Sequence, residues 1–262
     1  MSSILEQFFP ASRYTMESYS GHCNQCDTLH SISQGEARQK CRELMHVLDR
    51  EKRIDLEVLS SQAQPCFSTD VLFGPGRGQM FGVMVCRDLK GALHVLRAFS
   101  GQYDGAWEVA GWAPPLFDVG EWRKINDPVE REIKGLGREL SLLQPDDRAR
   151  NHLLQKRKSL SQQLMKDIHG LYRLTNFQGE TRSLYDVYQE GNGIPTGTGD
   201  CCAPKLLNLA ARQKLTPLGL AEFFWGKENR SLTKHHGIFY PSCEEKCAPI
   251  LGFLLCGLKR KQ

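Results

Sequence analysis

The chain has 262 residues, 40% hydrophobic and 24% charged, with a formal net charge of +4. That composition is ordinary for a soluble globular protein of one large or two small domains. No run of about 18 apolar residues exists to span a membrane, and Met1-Ser-Ser-Ile-Leu-Glu-Gln-Phe-Phe lacks the basic start and long apolar run of a signal peptide. A cytoplasmic protein without a membrane partner is expected. Its ten cysteines are then thiols or metal ligands rather than bridges.

In chain order, residues 1–35 carry few apolar repeats and read as an irregular N-terminal segment. Residues 36–262 read as one α/β domain. Gly35 to Asp55 has helical spacing at Ala37, Cys41, Leu44, Met45 and Leu48. Gln62 to Gly78 reads as a loop. Met80 to Cys86 and Ala92 to Phe99 are two strands joined by the turn Arg87-Asp-Leu-Lys-Gly91. A long, highly charged helical insertion follows over 119–177, broken near Gln144-Pro145-Asp146-Asp147, where either aspartate can cap the second helix. Leu153, Leu154, Leu160, Leu164, Ile168 and Leu171 form that helix's apolar stripe; Arg148, Arg150, Lys156, Arg157, Lys158 and Lys166 make much of the rest basic. A Gly/Thr-rich loop over 191–199 leads to a helix from Cys201 to Lys214, a strand from Leu218 to Trp225 and a helix from Cys243 to Cys256. Lys259-Arg-Lys is a basic tail. Short crossovers of parallel type at the end point to an α/β sandwich layer.

The last third concentrates ligand chemistry in Asp200-Cys201-Cys202, His235-His236 and Cys243-x3-Cys247. On one helix, Cys243 and Cys247 lie one turn apart on the same face. Cys201 or Cys202 heads another helix, and thiolates at helix N-termini are favoured by the helix dipole. Three thiolates with a water, or with His236, complete a tetrahedral zinc site. Cys23-x2-Cys26, flanked by His22 and His30, resembles half a zinc knuckle, but no matching pair follows at finger spacing. We read those two as exposed loop thiols, and Cys86 and Cys256 as inert buried hydrophobes. The basic face of residues 148–166 suits RNA phosphates, with Lys156, Arg157 and Lys158 as candidate contacts. The glycine-rich loops match no nucleotide fingerprint, although the second leads to a helix N-terminus, where anions bind.

A β-hairpin, a helix with a ligand at its head, a strand, and a helix opening on Pro-x-Cys resemble the zinc-dependent cytidine deaminase fold. The resemblance implies a three-layer core, a mixed sheet flanked by helices, with the helical hairpin as an insertion. In that family a zinc-bound water attacks the base and a glutamate two residues after the first ligand shuttles protons. Here Ala203 and Pro204 stand at that spacing, and Asp200 is the nearby carboxylate. Asp200 is then the candidate proton shuttle and His236 a fourth ligand or acid. A second resemblance covers roughly residues 70–257. Met80-Phe-Gly-Val-Met-Val, Thr196-Gly-Thr-Gly-Asp-Cys-Cys-Ala-Pro-Lys-Leu-Leu207, Ala221-Glu-Phe-Phe-Trp-Gly226 and His236-Gly-Ile-Phe-Tyr-Pro-Ser-Cys243 are similar to the N-terminal extension of large RluA-type RNA pseudouridine synthases. In those proteins a separate catalytic domain follows. Its motif is absent: His46-Val-Leu-Asp49-Arg50 lacks the arginine and the Thr-Ser-Gly. Pseudouridine synthase activity is therefore not expected of this chain alone.

Three functions are weighed: a metal-binding accessory or targeting module for RNA modification, which we favour; a zinc-dependent nucleobase or nucleoside deaminase; and a metal-stapled protein-interaction domain. An open coordination position marks an enzyme, and closure by a fourth protein ligand marks a structural site.

Overall fold

The computed structural model describes residues 18–144, 148–188 and 193–258. The fold is mixed α/β. Its central sheet has three strands in the order β4-β3-β7: β3 (Gln79–Arg87), β4 (Leu93–Phe99) and β7 (Thr216–Trp225). The run Phe81 to Cys86 is buried on both faces because β3 is the middle strand. Its partner β4 is an edge, with Leu93 and Val95 exposed. The β3–β4 turn is closed by Asp88, whose Oδ1 accepts from the Lys90 and Ala92 amides at 2.9 Å each. Both pairings of β3 are antiparallel. The parallel-type crossover expected from sequence is therefore not formed in this sheet.

Alternation along the strands separates two cores. Phe81, Val83, Val85, Ala221, Phe223 and Trp225 face α1 (Ala37–Glu51), which contributes Ala37, Cys41, Leu44 and Leu48. Met84, Cys86 and Leu220 face the opposite core with Leu206 and Leu207 of α5 (Cys202–Arg212) and with α6 (Ala248–Leu254). Helix α5 comes close enough to β3 that a Cβ on Gly82 would lie 2.6 Å from Cys202 Cβ.

The insertion forms two long helices, α2 (Val119–Leu142) and α3 (Arg148–Leu171). Asp118 caps α2 by accepting the Glu121 amide at 2.8 Å. The helices run antiparallel: Arg150 Nη1 donates to Leu140 O at 3.0 Å, and Lys156 meets Glu132 at 2.8 Å. Leu164 and Ile168 of the α3 stripe are buried, whereas Leu154 is 41% exposed. The proposed caps Asp146 and Asp147, and the tail Lys259 to Lys261, lie outside the described residues. After α3 come the short β5 (Arg173–Thr175) and β6 (Thr181–Ser183) and one turn of helix, α4 (Leu184–Val187).

Two expectations are corrected here. The segment read as irregular contains an antiparallel hairpin, β1 (Ser18–Cys23) and β2 (Thr28–Ser33). Tyr19 and Ile32, two residues too few to show a pattern in sequence, are its apolar anchors in the α5/α6 core. The helix expected from Cys243 is only α6. Pro249 stands in its first turn, where a missing amide costs nothing, and Glu244 to Cys247 form a turn ahead of it.

Among the described residues no helix is long and apolar enough to cross a membrane.

Candidate metal centre

Strand β1 ends at Cys23, and the turn Asn24-Gln25-Cys26-Asp27 reverses the chain with Asp27 in the left-handed region at φ 50°. His30 follows on β2. Gly21 on β1 lies directly against the backbone of Gly252 in α6, and neither position has room for a Cβ. This close approach carries the end of α6 to the hairpin turn and delivers Cys256. The ligand atoms of Cys23, Cys26, His30 and Cys256 all fall within 4.8 Å of one another.

The donor set fits a metal ion. Cys26 Sγ is 3.1 Å from His30 Nε2 and 3.7 Å from Cys256 Sγ. A tetrahedral ion with arms of about 2.3 Å to sulfur needs sulfur–sulfur edges of roughly 3.8 Å. Three thiols and an imidazole are soft to borderline donors, suited to a thiophilic ion rather than to magnesium or calcium. The thiol protons are already unevenly shared. Burial raises Cys26, but hydrogen bonds from Cys23, Cys256 and Thr28 outweigh it and leave it lowered. Burial first, then hydrogen bonds with Cys26 and Cys23, push Cys256 up to about 12. Four protein donors close the coordination shell, the arrangement of a structural rather than a catalytic ion.

Cys26 lies exposed in a turn and Cys256 is buried, as read from the sequence, but Cys23 is buried at the end of β1 rather than in an exposed loop, and the cluster gives all three a candidate ligand role that the sequence reading did not assign. The Cys-x2-Cys-x3-His spacing was the available signal. The missing fourth ligand lies 230 residues beyond Cys26. Gly252→Ala is expected to destabilise the fold by roughly 3 kcal/mol, the upper range for forced overpacking, and to lower bound metal. An unchanged urea midpoint would count against this approach.

The constellation expected at the head of α5 is only partly assembled. Cys201 is the N-cap of α5 and Cys202 its first residue. Cys247 is hydrogen-bonded to Cys201 and feels the charge of Cys243, and its thiol is raised well above the usual range, first by that bond and then by burial. Yet Cys201, Cys243 and Cys247 do not form a group of ligand atoms within 4.8 Å; among the described residues, the Cys23 cluster is the one that does. Cys243 and Cys247 lie ahead of α6 rather than within one long helix, and they bracket a single α-type turn in which the Cys247 amide donates to Cys243 O at 3.0 Å. His236 is not among these cysteines. Its Nδ1 accepts the Gly226 amide at 3.0 Å, and its ring lies 4.1 Å from that of Trp225, a residue of the α1-side core.

Asp200 does sit at the α5 head. Its Oδ1 accepts the Tyr172 hydroxyl at 2.6 Å. Burial raises its carboxyl, against the pull of Tyr172, Lys205 and Lys246. Beside it, Lys205 is 1% exposed and donates to Phe99 O at 3.0 Å and Gly101 O at 2.8 Å. Sequence reasoning missed Glu222, an acid within the apolar run of β7. It is 3% exposed, accepts the Ala203 amide at 2.6 Å, and is pushed up to about 7 by burial. The α5 N-terminus thus holds a buried acid that is half protonated near neutrality.

Of the candidate RNA contacts, Lys156 is occupied by Glu132, whose hydrogen bond and charge raise it. Arg157 and Lys158 are exposed. Compared with known proteins, the chain matches no family model, no curated protein and no solved structure.

Proposed function

We propose that this chain is a zinc-stapled accessory module of RNA modification. In this reading zinc binds Cys23, Cys26, His30 and Cys256 as a structural ion, and the basic side of α3 contacts RNA. The observation that carries it is the closed set of four donors, three sulfurs and one nitrogen, drawn from both ends of the described chain. The resemblance of residues 70–257 to the synthase extension supplies the RNA-modification context. Zinc's chemistry here is to fix the hairpin to α6, which orders the α5-side core beneath α3. An RNA role rests on Arg157 and Lys158, with Lys156 contributing only when released from Glu132. Neutralising all three with glutamine is expected to reduce affinity for a single-stranded RNA and to flatten its salt dependence, each lost phosphate contact removing about 0.7 from the log–log slope. Unchanged titrations across a salt series would reject the role.

A deaminase reading, with the deaminase-like core that the sequence suggested and zinc on Cys201, Cys243 and Cys247, is favoured by one observation. Glu222 offers the protonatable carboxylate that Asp200 was asked to be, at the head of the expected helix. It requires the metal to sit at the second cysteine cluster, which metal analysis of the cysteine variants separates.

A further inference from the structure

An open groove of about 1110 Å³ runs along α3. It is larger than the roughly 300–1,000 Å³ of a small-ligand pocket. One wall is a stripe of α3, with Lys158, Gln162, Lys166 and His169 at helical spacing. The opposite wall comes from Tyr185 on α4, the loop at Ile194 and Pro195, and Glu245 in the turn between Cys243 and Cys247. The groove therefore borders the two segments in which the synthase resemblance is most specific.

Three features distinguish this stripe from a solvated helix face. Lys158 and Lys166 enter no ion pair among the described residues, unlike Lys156. Eight residues apart, they stand about 12 Å from each other along the axis. His169, on the groove's floor, is 4% exposed, and its Nε2 is buried without a hydrogen-bond partner. An unmade bond of this kind is costly and rare. Tyr185 is 46% exposed at the rim; its hydroxyl is spent on Lys166 O at 2.9 Å, which fixes the ring. The ring also lies 6.4 Å from that of His169 at 73°, and its exposed part is what remains for stacking.

We propose that this groove binds a nucleotide, with phosphate held by Lys158 and Lys166, the base stacked on Tyr185, and a polar edge satisfied by His169. Burial lowers His169 and keeps it neutral, so Nε2 supplies a single donor or acceptor suited to a base edge or a phosphate. Glu245, the one acid among the described residues lining the groove, sits across from the lysines and disfavours a second phosphate on that wall. The proposal deepens the RNA reading and rests on it for the strand, while the nucleotide chemistry also fits a free ligand.

The test uses the full chain, with a fluorescein-labelled single-stranded RNA followed by anisotropy and UMP followed by calorimetry. Tyr185→Ala is expected to weaken binding roughly 5- to 100-fold, the range for one lost stacked base. Lys158→Gln with Lys166→Gln is expected to lower the salt slope for RNA by about 0.7, for the one phosphate the two lysines share. Lys134→Gln, on α2 away from the groove, serves as the control and is expected to change nothing. Tyr185 and both lysines are exposed, and circular dichroism of each variant verifies the fold. RNA and UMP binding that both fall with the groove variants supports the site. UMP binding alone, lost in those variants, supports the groove and overturns the RNA module. RNA binding that none of these variants alters overturns the groove, removes Lys158 from the module and leaves its RNA role to Arg157. Binding of neither probe overturns the groove.

Discussion

Cys256→Ser is expected to strip the chain of its metal and of much of its stability. Protein purified under reducing conditions should carry one zinc per chain by elemental analysis, and Cys23→Ser and Cys256→Ser should each carry far less. Cys243→Ser should retain it. An ion held a thousandfold more tightly than its free concentration stabilises the folded state by about 4 kcal/mol. For a chain of this size that is a loss of roughly 10 °C in melting temperature. The lesion is expected to begin locally, because the ligands join the β1–β2 hairpin to the end of α6. Hydrogen exchange should therefore accelerate first at Tyr19 to Ile32. If Cys243→Ser loses the ion and Cys256→Ser keeps it, the structural site is wrong and the deaminase reading gains.

Stability should also fall as pH rises from about 5 to neutrality, and Glu222→Gln should abolish that fall. Burial raises Glu222 from its ordinary 4.5 to about 7. Between these values the folded state binds the proton and the unfolded state does not. Stability from this group is thus full below pH 4.5, declines as pH rises, and is lost above 7. The shift corresponds to roughly 3 kcal/mol. Glutamine keeps an oxygen for the Ala203 amide and never ionises, so its denaturation midpoint should stay level from pH 5 to 8 while the parent's drops. Parallel pH profiles for the two proteins would remove Glu222 as the source.

The parts of this fold legible in sequence are those where one short-range pattern decides the outcome. The run from Met80 to Cys86 and its return to Phe99 declared a hairpin because both strands and their turn are contiguous. The insertion declared itself through Leu164 and Ile168 at helical spacing. Strand direction was not legible: whether β7 lies parallel or antiparallel to β3 depends on packing across more than a hundred residues. The head of α6 was legible and was misread, since Pro249 marks a helix start better than Cys243 does. At the candidate site, the half-knuckle Cys23, Cys26 and His30 was visible, but three ligands without a fourth are indistinguishable from loop residues. Cys256 is brought to the other three donors only through the Gly21–Gly252 approach, and two small residues in separate segments carry no local signal. Glu222 stood in plain view inside an apolar strand, and a buried acid among Ala221, Phe223 and Phe224 is a better pointer to perturbed chemistry than an acid beside a cysteine.

The contact between Gly21 and Gly252 also orders events in time. Strand β1 is made well before α6, the surface it packs on. At ordinary synthesis rates the interval between Cys26 and Cys256 is roughly ten to fifty seconds. During that interval the hairpin has neither α6 to lie on nor a fourth ligand for an ion. A site built from all four donors can therefore close only after Cys256 is made, and a nascent chain arrested before it would present Cys23 and Cys26 unguarded to any oxidant.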